Sequence, residues 1–135
     1  MSLLNWFKRT IPALSSPRLE ALVSKAANYL ASRPPDSEFL PRIVGKAIGE
    51  SELAAMTALS ILEKEGVTKQ HFGVYCGNTG VPLDSFDDLS AIRSDPYYCE
   101  TCDEHHSLDD GACRVEVYFT ADSSALSRFL RTSAA

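Results

Sequence analysis

A chain of 135 residues, 44% of them hydrophobic, holds one compact domain or two small ones, which excludes a multidomain enzyme. Thirteen Lys and Arg stand against eighteen Asp and Glu, and no apolar run approaches the roughly 18 residues that a membrane helix needs. The stretch Leu3 to Leu14 is interrupted by Lys8, Arg9 and Pro12 and is not built as a signal peptide, so the sequence reads as a cytoplasmic protein without a membrane partner.

In the N-terminal segment, residues 1–15, Leu3, Leu4, Phe7 and Ile11 share one helical face with Trp6 at its edge. Trp6 and Phe7 are strong interface anchors, so this segment is a candidate partner-docking element. Ser16 before Pro17 signals a helix start, and Leu19, Leu22, Val23, Ala26 and Leu30 then recur at spacings of three and four until Ser32, ahead of Pro34 and Pro35. After Ser37 the same stripe returns as Leu40, Ile43, Val44, Ala47 and Ile48, with Gly49 placed to end the helix. Ser51 caps a third helix whose expected buried stripe is Leu53, Met56, Leu59 and Leu62, with Gly66 at its stop. The outward positions are then Glu52, Ala54, Ala55, Thr57, Ala58 and Ser60.

Alternating residues predict a strand over 69–76, a turn at Asn78-Thr79-Gly80 and a short strand over 81–83. Helix, tight turn, helix and hairpin, read through Ile43-Val44-Gly45-Lys46-Ala47-Ile48-Gly49 and Leu59-Ser60-Ile61-Leu62-Glu63-Lys64-Glu65-Gly66-Val67, resemble a winged-helix domain over about half the chain. The resemblance implies an α+β fold in which three helices precede a β-hairpin wing, and it carries no function by itself. Winged helices read base edges with Arg, Lys, Asn and Gln on the third helix, and here the outward face is small and slightly acidic. Ala55 and Ala58 are therefore expected to line a shallow protein-binding surface.

The sharpest chemical signal is Cys76, the pair Cys99-Glu100-Thr101-Cys102, then His105, His106 and Cys113. Zinc takes four Cys or His ligands in a tetrahedron, and a C-x-x-C pair converges two thiolates on one ion. Three cysteines leave the fourth position open to His106, His105 or Cys113; the alternation of Cys113, Val115, Val117 and Phe119 offers a buried apolar role for Cys113 instead. The spelling Cys76-Gly77-Asn78-Thr79-Gly80, then Cys99-x-x-Cys102-x-x-x-His106, resembles small bacterial zinc-ribbon modules over about 30 residues, and that likeness implies His106 as the fourth ligand. Gly77 departs from it, since such modules often carry proline there. Few apolar residues lie between Asp84 and Ala112, so this stretch needs a metal staple to order itself.

The expected organisation is a segment over 1–15, a winged helix over 16–83, a zinc-ribbon-like module over 84–121 completed by Cys76, and a C-terminal helix and tail over 122–135 capped by Asp122. No H-x-E, H-E-x-x-H, G-x-S-x-G or phosphate-binding glycine motif occurs, and four protein ligands close a zinc site, so no enzymatic activity is expected. The leading expectation is a protein-interaction adaptor or regulatory subunit with one structural zinc, working with a larger protein of the same system. The alternative is a DNA-binding regulator using residues 1–49, where seven basic residues meet three acidic ones; the remainder carries six against fifteen.

Overall fold

A computed structural model describes residues 17–93 and 95–133. Trp6, Phe7 and the Ser16 cap lie outside the described residues. The fold is mixed α+β, with four α-helices and small antiparallel sheets among the described residues. Among the described residues no helix is long and apolar enough to cross a membrane.

Helix α1 (Pro17–Ala31) opens with proline, which suits a first turn whose N–H groups have no helical acceptor, and buries Val23, Ala26, Ala27 and Leu30. Beyond it Phe39 is 4% exposed and exchanges two backbone hydrogen bonds of 2.8 and 2.9 Å with Phe119, while the Tyr29 ring meets it edge-on at 6.2 Å. Helix α2 (Pro41–Ile48) starts at the proline, later than the expected start after Ser37, because Leu40 is held in an extended conformation. Gly49 ends α2 at φ +73, where a side chain would be strained. The buried row is Pro41, Val44 and Gly45, not the broader stripe expected: Ile43 is 46% exposed and Ala47 is exposed.

Helix α3 (Glu52–Lys64) is capped as the sequence predicts, with the Ala54 N–H donating to Ser51 Oγ at 3.1 Å. Its buried face is turned from the one expected. Leu59 and Leu62 are fully buried as expected, but so are Ala55 and Ala58, whereas Met56 is half-buried and Leu53 is 75% exposed. Ala55 and Ala58 therefore cannot form a partner-binding surface. The physical reason is that α3 packs against both α1 and α2, and small side chains are buried where helix axes approach closely. Hydrophobicity alone ranks Leu above Ala and so selects the wrong edge of the stripe.

Two compact units emerge. The first runs to Lys69 and resumes at Phe119; it contains the four α-helices of the described residues, including α4 (Ser123–Ser133). There the Thr68 hydroxyl donates to Leu59 O at 2.7 Å, the Asp122 N–H to Val67 O at 2.8 Å, and Asp122 Oδ1 caps α4 by accepting from the Ala125 N–H. The second unit, from Gln70 to Tyr118, comprises most of strands β1 (Thr68–Cys76) and β5 (Cys113–Ala121) and the chain between them. It holds β2 (Pro82–Phe86), a 3₁₀ turn (Leu89–Ala91), β3 (Tyr97–Cys99) and β4 (Glu104–His106). The hairpin β1–β2 expected as the wing thus falls in the same unit as the cysteines. The strand order is β2-β1-β5, with β3–β4 as a separate pair. The core of this unit is small: Val74, Tyr97 and Cys113, flanked by Leu83, Phe86 and Leu108. Val115, expected on the buried side of β5, is 38% exposed.

The turned face of α3 is open to test. Ala58→Leu should cost about 1–3 kcal/mol by overpacking, while Leu53→Ser should stay within about 0.5 kcal/mol. Urea midpoints with equal slopes measure both; the reverse order would restore the expected stripe.

Candidate metal centre

Three short pieces of backbone deliver the ligands. Strand β1 ends at Cys76, whose N–H donates to Val81 O and whose carbonyl accepts from the Gly80 N–H, both at 2.9 Å, so the chain turns tightly immediately after the first cysteine. Strands β3 and β4 form a hairpin in the register Tyr97↔His106, Tyr98↔His105 and Cys99↔Glu104. The C-x-x-C pair is the turn of that hairpin. Asp103, just past Cys102, adopts φ +54, a left-handed conformation that Asp tolerates better than most residues, and its carboxylate accepts a hydrogen bond from the Tyr98 hydroxyl.

Strand periodicity decides between the two histidines. Neighbours on a strand point to opposite faces, and residues directly opposite each other share a face, so His106 lies on the side of Tyr97 and Cys99 while His105 lies with Tyr98. His106 is 2% exposed; His105 is exposed, its ring 5.3 Å from that of Tyr98. Cys113, the other alternate ligand, is buried in the apolar cluster with Val74 and Tyr97.

The donor atoms of Cys76, Cys99, Cys102 and His106 all lie within 4.8 Å of one another, and three of the four residues are buried, with Cys102 half-buried. Cys76 Sγ is 3.7 Å from Cys102 Sγ and 3.5 Å from His106 Nε2. Tetrahedral bonds of about 2.3 Å to sulfur and 2.0–2.1 Å to nitrogen place such donors roughly 3.8 and 3.6 Å apart, so the set can hold a metal ion. A disulfide would need about 2.05 Å, and all four cysteines are free. Four protein donors fill a tetrahedral shell.

The local electrostatics prepare a thiolate. Hydrogen bonds from the Thr79 side chain and backbone, with a further one from the Asn78 backbone, hold the Cys76 thiol well below its usual range. Burial, and then the hydrogen bond with Cys76, push Cys102 up; Asn78 Nδ2 opposes this by donating to Cys102 Sγ at 3.9 Å. The Cys113 thiol is raised by burial and by the charges of Asp110 and Cys76. Sequence reasoning named the turn Asn78-Thr79-Gly80 without giving Asn78 and Thr79 this part; a polar pair directly after a ligand cysteine is the signal that was there to use.

Gly77 also finds its explanation. Its N–H donates to Ala112 O at 2.8 Å, which proline could not do, and a Cβ at this position would sit 2.9 Å from the same oxygen. The opposite side of the unit is tied by a second polar group: His71 Nδ1 lies 2.7 Å from Asp87 Oδ1, the His71 ring stacks on Tyr118 at 5.0 Å, and the Tyr118 and Ser85 hydroxyls are 2.5 Å apart.

His106→Ala should abolish tight metal binding while His105→Ala keeps it, as read by chelator competition; equal losses would contradict the face assignment. Gly77→Pro should weaken binding and lower the melting temperature of the loaded protein, since it removes a backbone bond and forces the strands apart. Metal binds the deprotonated ligands, and Cys102, raised by burial, gives up a proton to do so. Affinity should consequently fall as pH falls, and metal addition at neutral pH should release protons measurable in weak buffer. No family model matches the chain, and no curated protein or solved structure resembles it significantly, so any functional reading rests on this geometry.

Proposed function

We propose that the chain is a non-catalytic interaction protein, an adaptor or regulatory subunit, in which a winged-helix body carries a structural zinc module. The single observation behind this reading is the closed Cys3His donor set, with its ligand atoms within 4.8 Å of one another. Three thiolates and an imidazole suit zinc better than the hard cations, which prefer oxygen. A catalytic zinc would keep a water position open, and here protein donors take all four.

The winged-helix part is supported by the order α1, α2, tight turn, α3, then the paired strands β1 and β5. On this reading the wing is the β1–β5 ribbon, and the zinc module is the segment that the chain inserts between those two strands. Its ion supplies what the small core cannot: structural zinc contributes on the order of 10 kcal/mol to such modules.

Protein is favoured over nucleic acid as the partner. The exposed positions of α3 include Glu52, Leu53 and Thr57, and the helix has no basic residue before Lys64. Ten Asp and Glu against two Arg between Gln70 and Tyr118 repel a phosphate backbone. Leu53 and Ile43 offer apolar surface that another protein could cover, and they replace Ala55 and Ala58 in that role.

Elemental analysis of protein purified without chelators should find one zinc per chain. Cys102→Ser should lose it and unfold the second unit, while the far-ultraviolet helical signal persists because every α-helix among the described residues belongs to the first unit. Less than about half an equivalent of zinc in the unmodified protein would end the proposal. Fluorescence anisotropy on arbitrary duplex DNA should show no salt-dependent binding; a steep salt dependence would transfer the function to DNA.

A further inference from the structure

Cys113 is a buried thiol that the metal set does not use, and its position on the ladder is specific. Gly77 N–H bonds Ala112 O, so Gly77 and Ala112 are a hydrogen-bonded pair at the end of the β1–β5 ladder. One step along, Cys76 faces Cys113. The backbone groups of Cys76 bond the other way, to Val81 and Gly80, so Cys76 and Cys113 are a non-hydrogen-bonded pair. In such pairs the Cα atoms lie about 4.5 Å apart and both side chains rise on one face. A disulfide requires Cα separations of roughly 4.4–6.8 Å, and this arrangement supplies one without moving the backbone. The metal ligands, by contrast, converge on a point from three separate segments.

We infer that Cys76 and Cys113 form a reversible disulfide, a redox latch that competes with the metal for Cys76. The competition, though not the disulfide itself, rests on the metal reading above. The oxidant is a hydroperoxide. The Cys76 sulfur attacks its terminal oxygen, the O–O bond breaks and an alcohol, or water from hydrogen peroxide, departs, leaving a sulfenic acid on Cys76. The Cys113 sulfur then attacks the Cys76 sulfur, the S–O bond breaks, and hydroxide leaves with the Cys113 proton as water. Two thiols are oxidised by two electrons and one peroxide bond is reduced. Closing the latch removes one of four ligands, so the ion is released, and a dithiol reductant restores the site.

The test uses the full chain, reduced, stripped of metal and exposed to one equivalent of hydrogen peroxide. Cleavage at Arg and at acidic residues separates all four cysteines, because Arg93, Glu100 and Asp103 stand in the three intervals between them. The expected map has Cys76 joined to Cys113 as its main product, zinc uptake lost until reductant is added, and slower linkage in protein loaded with zinc beforehand. The Cys113→Ala chain should take up zinc normally when reduced and retain that capacity at least about tenfold longer under peroxide. A main product joining Cys99 to Cys102 or Cys76 to Cys102, or a Cys113 still open to alkylation after oxidation, overturns the latch and leaves the metal reading standing. A reduced chain that takes up no zinc but still yields the Cys76–Cys113 linkage does the opposite.

Discussion

Convergence of four side-chain donors on one point is the constraint on which the second unit depends. Between Gln70 and Tyr118 the buried apolar cluster of Val74, Tyr97 and Cys113, with its half-buried neighbours, is small, and the segment carries ten acidic residues. Ordering a residue costs about 1–2 kcal/mol of backbone entropy, far more than this cluster recovers. Backbone hydrogen bonds cannot close the gap, because their net contribution is near 1 kcal/mol each. What remains is the donor set, which can hold a metal ion, and the local geometry converges on it: a tight turn after Cys76, a hairpin whose strand ends at Cys99 and whose turn carries Cys102, a left-handed Asp103, and a strand that brings His106 to the same face as Cys99.

The ligand set was legible because coordination chemistry leaves a local signature. Cys99 and Cys102 announce themselves by spacing, and Cys76 by its glycine-rich turn; His106 could be named over His105 by a likeness of spelling, and the hairpin register supplies the reason. Helix ends were equally readable, since Ser51, Gly49 and Asp122 act within three residues of themselves. Cap and turn chemistry is local, so sequence carries it.

Side-chain burial is not local, and there the sequence misled. Ala55 and Ala58 are buried because of what lies across from them on α1 and α2, which no periodicity in α3 encodes. Phe39 sits in a polar stretch after two prolines with no pattern around it, and its burial follows from pairing with Phe119, eighty residues away in sequence. The division of the chain has the same cause. A cut after residue 83 follows the order of motifs, whereas compactness groups the described residues up to Lys69 with those from Phe119 onward. Gly77 looked like a departure from a family spelling until the Ala112 carbonyl appeared beside it.

The Phe39–Phe119 pairing also bears on how the chain reaches its native state. The helical unit cannot complete its backbone bonds from its first half; Phe39, Val67 and the α4 cap each wait for residues made after Tyr118. Closing a flexible loop costs free energy that grows with the logarithm of its length, about 0.6 kcal/mol for each doubling, and contacts between distant residues slow folding. An excursion already drawn together where Gly77 meets Ala112, at the far end of the β1–β5 ladder, behaves as a much shorter loop. An ion held by the Cys3His set would then bear on the rate at which the helices close, and not only on the stability of the second unit.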